Sequence, residues 1–338
     1  MKIGLDTAPA ALRGTYFQHL ASVLARYAPE HEYIIGAERY GHLDLYHGFR
    51  SSLPLSVHLG RIPAVMTVPN LDFLRYPHLY TFSERLIALR LYRRALRQAR
   101  RGITVSALPA LWESLKRGLR RTRQRLRIDP AKIEVMMPLA ARMPQEPPLQ
   151  AELEHTRRKY GLPEMFILMI GTVEPHHNHE AVLDALALLD SRVGVVVCGR
   201  RTVYSDFLLS YARERHLATR VDFIYELTPA DLPALFRMAR VFAYLPDACS
   251  EASIVPVVEA LRAELPMVLS DTRLNREAAG HAAAYVNPEV PGEVVAALEN
   301  ALCDESWRQT MRRRERRRAE LFSEYAVAER LVQIYTSL

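Results

Sequence analysis

Short apolar runs alternate along the whole chain with longer segments whose apolar residues recur every three to four positions. The short runs have the length and β-branched composition of buried strands, and the longer segments have the periodicity of helices packed on one face. The pattern predicts strands at residues 2–5, 32–35, 43–46, 64–67, 102–105, 133–137, 166–170, 193–198, 221–225, 241–245, 267–269 and 284–286. Strands that alternate with helices indicate parallel sheets, so the predicted fold class is α/β.

A proline-rich stretch without periodicity interrupts this alternation at residues 143–148. The chain has 338 residues, which suits two domains better than one core. We predict a doubly wound domain at 1–142, a linker at 143–150, a second doubly wound domain at 151–320, and a terminal segment at 321–338. That last segment contains a helix with an apolar face that needs a surface to pack on.

The strand at 241–245 leads through a turn into a helix, and this stretch carries two acids. Glu251 falls in the turn, Glu259 falls on the helix, and Pro256 lies near the helix start, where its missing N–H costs little. Such a turn lies at the carboxyl end of a strand, where α/β sheets bind ligands, and the helix N-terminus favours a phosphate. The two carboxylates could then meet a ribose diol and a sugar hydroxyl. An exposed loop acid and a solvated helix acid are the open alternative.

Other candidate groups follow strand ends. Residues 171–180 contain His176, His177 and His179, with Asn178 as the expected cap of the next helix. Their spacing does not match a tetrahedral zinc set, so we favour contact with a phosphorylated ligand over a metal. Further candidates, each with an ordinary structural role as its alternative, are Gly14, His47, Arg200 and Arg201.

The chain is basic, with a formal net charge of +7. Arginines cluster at residues 93–101, 117–127 and 312–318, which suits anionic lipid headgroups, nucleic acid or phosphorylated ligands, with solvated helix faces as the alternative. Nucleic acid is disfavoured because no aromatic interleaving accompanies the clusters. No apolar run reaches membrane-spanning length and the first residues form a strand, so we expect a cytoplasmic protein with its three cysteines reduced.

Several of these segments resemble motifs of the GT-B retaining glycosyltransferases, in the large family 4-like group of bacterial mannosyl- and glucosyltransferases. In the first half, residues 46–48 are similar to its H-G-P loop, 67–77 to T-x-H-D-L-x-F-L-R-x-P, and 104–106 to T-V-S. In the second half, residues 171–178 are similar to G-T-x-E-P-R-K-N and 251–259 to E-x7-E. The order of the motifs covers nearly the whole chain.

The resemblance implies two Rossmann-like domains that face each other across a cleft, with a nucleotide-sugar donor on the second and the acceptor on the first. It implies that Glu251 contacts the donor sugar near the reacting carbon and that Glu259 holds the ribose. The remaining implied donor-side residues are Gly171, Thr172, His177, Arg200, Arg201, Ser253 and Ile254, and those on the acceptor side are Gly14, His47 and Asn70. The terminal helix would cross back to the first domain.

Four departures from the family pattern remove polar or flexible groups. His176 and His177 replace its basic pair, Asn70 follows Pro69 where the family has H-D, residues 252–254 replace G-F-G, and residues 138–141 replace N-G-V-D. Each such group can be worth about 10²–10³ in rate. The chain could therefore also be a binding or scaffold protein that kept the fold and lost the chemistry.

The favoured hypothesis is transfer of a hexose from a UDP-, GDP- or ADP-sugar to a glycan or lipid-linked acceptor. We expect no metal or other cofactor, no nucleic acid partner, and a peripheral position on an anionic inner membrane face through the arginine-rich helices.

Overall fold

The computed structural model describes residues 1–6, 16–36, 42–49, 52–59, 61–68, 81–104, 132–135, 143–144, 146–247 and 254–338. These residues form two compact units. Unit 1 comprises Met1–Ala141 together with Phe322–Leu338, and unit 2 comprises Arg142–Leu321.

Unit 1 contains a parallel sheet of six strands in the order β2-β1-β3-β4-β5-β6. Its strands are β1 Lys2–Leu5, β2 Glu32–Ile35, β3 Leu45–Gly48, β4 Ala64–Val68, β5 Arg101–Thr104 and β6 Ile133–Val135. Its described helices are α1 Tyr16–Tyr27, α2 Leu55–Leu59, α3 Phe82–Gln98 and, from the chain end, the helix Glu324–Thr336. The terminal helix contributes Val327, Leu331 and Ile334 to the core beneath β1 and α1.

Unit 2 repeats this plan, with the strand order β12-β11-β10-β7-β8-β9. Its strands are β7 Met165–Ile170, β8 Val193–Cys198, β9 Val221–Ile224, β10 Val241–Tyr244, β11 Met267–Ser270 and β12 Ala284–Val286. Its helices are α4 Gln150–Tyr160, α5 His179–Leu186, α6 Val203–Glu214, α7 Leu232–Met238, α8 Val255–Arg262, α9 Arg273–Ala279, α10 Pro291–Cys303 and α11 Glu305–Ala319. The helix Glu324–Thr336 of unit 1 is then α12.

Every predicted strand is present, and the bounds differ from the prediction by at most two residues. The strand predicted at 43–46 is β3, Leu45–Gly48, because His47 and Gly48 pair with β4 instead of starting a loop. The strongly apolar strands β7, β8 and β10 are buried on both faces, as expected for central strands of a covered parallel sheet.

No helix among the described residues has both the length and the hydropathy needed to span a bilayer.

Candidate active site

Strand order creates a crevice at the carboxyl edge of the unit 2 sheet. β7 and β10 are neighbours, but the chain proceeds from β7 to β8 on one side and from β10 to β11 on the other. The loops that follow β7 and β10 therefore diverge at a topological switch point, which is where doubly wound sheets bind ligands. The first of these loops carries Gly171, Thr172 and His177, and the second leads into α8.

The loop after β7 is packed tightly against the end of β8. Gly171 has a φ of +148°, a value that favours glycine, and its N–H donates to the Cys198 carbonyl oxygen at 3.0 Å. A Cβ on Gly199 would overlap the carbonyl oxygen of Gly171. Thr202 adds a hydrogen bond from its hydroxyl to the Val173 carbonyl oxygen. The two predicted loops are therefore in contact; the φ of Gly171 favours glycine there, and the close approach of the Gly171 carbonyl requires glycine at Gly199.

Three histidines follow in a short 3₁₀ helix, Pro175–His177, and at the start of α5. His177 is nearly buried, with its ring centroid 5.8 Å from that of Tyr244 and 4.6 Å from that of His176. Burial, reinforced by the neighbouring His176, lowers the pKa of His177 to about 4. Burial also lowers the pKa of His179 to about 3. Both rings are therefore neutral at pH 7, so neither supplies a fixed cation in place of the family's basic pair.

Asn178 joins the two loops at the switch point. Its Nδ2 donates to the Leu245 carbonyl oxygen at 2.8 Å and to Asp247 Oδ1 at 2.7 Å, and the Asp247 N–H donates to the His176 carbonyl oxygen at 2.8 Å. Asn178 is the N-cap residue of α5, as predicted, with a φ of 51°, but its side chain makes no capping hydrogen bond because its amide donates to the Leu245 carbonyl and the Asp247 carboxylate instead.

A third strand end supports the same loop. The Ser270 hydroxyl, at the end of β11, donates to the Pro246 carbonyl oxygen at 2.7 Å, and Asn275 Nδ2 donates back to the Ser270 carbonyl oxygen at 2.9 Å. Ser270 and Asn275 are both buried. Sequence reasoning missed these residues, because the carbonyl that Ser270 bonds lies 24 positions away in the chain.

Helix α8 begins beside this crevice and carries Glu259. Pro256 lies in its first turn, as predicted, and Ile254 immediately precedes the helix with its side chain buried. Glu259 lies in the second turn and is 0% exposed. A carboxylate that is fully removed from water needs hydrogen bonds or an opposite charge, so burial of Glu259 costs free energy that such partners must offset.

The arginines that follow β8 lie at the surface of unit 2, and their role in donor binding stays a prediction. Arg201 donates to Asp206 Oδ1 at 2.7 Å, and its guanidinium lies 5.7 Å from the centre of the Tyr225 ring. Both of these partners belong to unit 2. Arg200 is exposed. The predicted site residues Glu251, Ser253, Gly14 and Asn70 lie outside the described residues.

His47, predicted as an acceptor-side residue, lies in the interior of unit 1. Its ring is 0% exposed, with Nδ1 2.6 Å from the Tyr335 hydroxyl and Nε2 2.7 Å from Thr67 Oγ1. Burial lowers the pKa of His47 to about 3. The geometry supports an ordinary structural role for His47, since both of its ring nitrogens are hydrogen-bonded within unit 1.

Within the described residues, no group of three or more His, Cys, Asp or Glu side chains is arranged to hold a metal ion.

A family comparison matches the part of the chain that carries this crevice. Residues 153–318 match the family described as "Glycosyl transferases group 1". These residues form a glycosyl transferases group 1 domain. The domain spans unit 2 from α4 to α11 and includes both loops at the switch point and helix α8.

Curated relatives of the chain include O-antigen chain mannosyltransferases. The chain is 28% identical over 199 residues to O-antigen chain mannosyltransferase B of Escherichia coli, which covers 57% of this chain and 52% of the relative. It is 28% identical over 138 residues to O-antigen chain mannosyltransferase RfbU of Salmonella typhimurium, which covers 40% of this chain and 38% of the relative. The chain thus spans about half or less of the length of these relatives.

Solved structures extend the fold similarity beyond the group 1 domain to the full chain. Anabaena Alr3699/HepE, crystallised in complex with UDP and glucose, has a TM-score of 0.73 at 14% identity, with 100% of both chains covered. WaaG, a glycosyltransferase involved in lipopolysaccharide biosynthesis, has a TM-score of 0.68 at 14% identity, with 99% of both chains covered. The predicted GT-B fold class, with two Rossmann-like sheets, is confirmed.

Proposed function

We propose that this protein is a retaining glycosyltransferase that transfers a hexose from a nucleotide-diphosphate sugar to a glycan or lipid-linked acceptor. The observation that carries the proposal is the switch point between β7 and β10, where two hydrogen-bonded loops and the start of α8 meet inside a group 1 domain. Its relatives in O-antigen synthesis are mannosyltransferases, and HepE was crystallised with UDP and glucose. These support a UDP- or GDP-linked hexose as donor.

The proposed donor site lies along the carboxyl edge of the unit 2 sheet. The backbone at Gly171 and Thr172 approaches the diphosphate, while Glu259 on α8 binds the ribose. Glu251 contacts the hexose near the reacting carbon. Acceptor-side residues Gly14 and Asn70 remain assigned by resemblance alone.

The chemistry proposed for this site relies on neutral hydrogen-bond donors and a helix dipole. The N-terminus of α8, with Ser253 and Ile254 before it, directs the positive end of the helix dipole at charge that develops on the leaving diphosphate. His177 donates a hydrogen bond there and gains charge only when the phosphate raises its pKa. Attack by the acceptor on the face that the diphosphate leaves retains the configuration. The reaction needs no metal in this proposal.

Donor binding tests the proposal directly. UDP-glucose, GDP-mannose and ADP-glucose are titrated while the melting temperature is followed, and one of them should raise it by several degrees at about 100-fold excess over Kd. Glu259→Gln should abolish that shift. Glu251→Gln should keep the shift and lose transfer of the sugar to an O-antigen-type acceptor. Glu299→Gln, at an exposed acid of α10, is the matched control and should behave as the wild type.

The alternative of a binding or scaffold protein predicts a different outcome. A thermal shift with a donor, but neither transfer nor donor hydrolysis, would leave a nucleotide-sugar binder. No shift with any of the three donors would contradict the proposed function as a whole.

The reaction is assigned to the inner face of the cytoplasmic membrane, since a lipid-linked acceptor and a cytoplasmic donor meet there.

A further inference from the structure

Helix α3 of unit 1 presents large apolar side chains to solvent. Phe82 is 79% exposed, Ile87 is 56% exposed and Leu91 is 37% exposed. The opposite face of α3 is occupied, because Tyr92, Ala95 and Leu96 pack with Met66 and Val68 of β4 in a buried cluster. Ile87 and Leu91 therefore cannot turn inward, and the fold holds this stripe outward.

Arginines interleave with this apolar stripe. At 100° per residue, Arg90, Arg94 and Arg97 fall on the same exposed face as Ile87 and Leu91. The helix carries five arginines and one glutamate. That glutamate, Glu84, is used in the helix cap, where it accepts from the Thr81 backbone N–H and hydroxyl at 2.8 Å each.

The three exposed arginines of this face are not neutralised by the described parts of the chain. No acidic side chain among the described residues lies within ion-pair distance of Arg90, Arg94 or Arg97. The other described basic helix, α11, differs in this respect: Arg316 pairs with Glu264 at 2.6 Å and Arg312 with Glu305 at 4.0 Å. None of the large apolar residues that are exposed among the described residues lies on α11.

We propose that the outward face of α3, formed by Ile87, Arg90, Leu91, Arg94 and Arg97, docks unit 1 on an anionic lipid bilayer. A helix whose exposed aliphatic side chains lie among cations that have no acidic partner in the described part of the chain has the chemistry of an interfacial helix: the apolar groups enter the acyl boundary while the guanidinium groups meet lipid phosphates. Its 17 residues span about 25 Å, so the helix lies along the membrane surface. A nucleic acid bound to this face would contact the arginines and leave the Ile87 and Leu91 side chains exposed to water, so a bilayer fits the face better.

The position of α3 beside the unit 1 sheet relates the proposed docking to acceptor binding. β4 ends at Val68, and a helix that connects parallel strands runs antiparallel to them, so the start of α3 with Phe82 lies at the carboxyl edge of the unit 1 sheet. Ligands of doubly wound sheets bind at this edge. Docking through α3 therefore brings a bilayer to the acceptor edge of unit 1, which selects a lipid-linked acceptor; this last step rests on the proposed function.

Vesicle flotation of the full chain tests the docking. Phosphatidylcholine vesicles with and without 30% phosphatidylglycerol are compared at low and at physiological salt, and binding should require the anionic lipid and weaken with salt. Arg90→Gln/Arg94→Gln/Arg97→Gln should reduce the partition coefficient on the order of 100-fold, at about fivefold for each arginine. Ile87→Ser/Leu91→Ser should reduce it by about tenfold or more per residue.

The matched control removes the same charge from α11. Arg312→Gln/Arg313→Gln/Arg317→Gln should retain most of the vesicle binding, and each variant's melting temperature reports that it is folded. Absence of wild-type binding at low salt would overturn the proposal. An equal loss of vesicle binding in the α11 variant would also overturn it. So would unchanged binding of the Ile87/Leu91 variant, because binding would then depend on positive charge alone, which nucleic acid would also attract.

The nucleotide-sugar thermal shift separates this proposal from the proposed function. A chain that floats with anionic vesicles but shows no donor shift keeps the docking and loses the transferase. A chain that shows the donor shift but does not float keeps the transferase and loses the docking.

Discussion

Gly199 illustrates how single residues set the geometry of the candidate site. A Cβ there would overlap the Gly171 carbonyl, and the loop of Gly171 is held by hydrogen bonds to β8 and to the β10 loop. Gly199→Ala must therefore displace backbone, and we expect it to destabilise the protein by about 1–3 kcal/mol. Chemical denaturation measures the change. Gly292→Ala on α10, where an added Cβ meets nothing within 4 Å, should instead be neutral or stabilise by about 0.5 kcal/mol. Equal effects at both positions would contradict the packing argument.

His177 should link donor binding to pH. Its pKa in the free protein is about 4, lowered first by burial and then by His176. A bound diphosphate raises that pKa, so binding takes up a proton, and the extra affinity is present below the bound-state pKa and lost as pH rises through it.

Calorimetry of the nucleoside diphosphate from pH 7 to pH 5 measures this linkage. Wild-type affinity should rise as pH falls, by up to about tenfold per pH unit. The rise should be smaller in His177→Gln, and the difference between the two removes the nucleotide's own titration. His155→Gln, at an exposed histidine of α4, is the control. Identical pH dependence in wild type and His177→Gln would exclude a contact between this ring and the phosphate.

Helix α12 shows how one element depends on a residue far away in the chain. The Tyr335 hydroxyl lies 2.6 Å from His47 Nδ1, and both side chains are buried. Tyr335→Phe leaves that nitrogen without this partner, which we expect to cost about 1–3 kcal/mol. Tyr325→Phe, on the exposed side of the same helix, should change stability by less than about 0.5 kcal/mol. Thermal denaturation compares the stability of the two variants. A similar loss of stability in both would show that the hydrogen bond to His47 does not contribute the expected stabilisation.

The same elements show which features local patterns could predict. Strand and helix positions followed from apolar periodicity, since burial on both faces of β7, β8 and β10 leaves few polar residues in them. His47 and Gly48 looked like a loop, because a histidine in a strand is explained only by Thr67 and Tyr335, which lie 20 and 288 positions away. Asn178 is the predicted N-cap of α5, but its side-chain partners were not predictable for the same reason, since Leu245 and Asp247 belong to a distant loop.

At the scale of the molecule, strand order was the feature that sequence periodicity did not contain. The switch point between β7 and β10 follows from pairing across 70 or more residues, as in the Val241–Ile167 and Phe242–Leu168 pairs. The family motifs nevertheless fall on the loops that meet at this switch point, because close backbone approach at Gly171 and a proline at the start of α8 leave local signatures. The assignment of donor-side residues stays a prediction, and the hydrogen bonds that hold these loops together were not predictable from local patterns.

The two units also differ in how they depend on chain continuity. Unit 2 is one continuous segment, whereas unit 1 combines Met1–Ala141 with Phe322–Leu338. Without α12, the core formed by Ile3, Leu20 and Leu24 would lose the apolar face that covers it. A chain that ends at Leu321 should therefore lose amide protection in β1 and β3 while β7 and β8 keep theirs, because local stability follows buried contacts. Nucleotide-sugar binding, assigned to unit 2, should survive and transfer should be lost.

Hydrogen exchange followed by mass spectrometry reads both units in one experiment. A chain that ends at Thr336 lacks only Ser337 and Leu338, which are exposed, and should match the full-length protein. Equal loss of protection in both units of the shorter chain would mean that the sheet of unit 2 also depends on α12. Full protection in both would mean that the terminal helix contributes little to the core, against the burial of Leu331 and Ile334 beside Ile3. Selective exposure of unit 1 is the outcome that its contacts require.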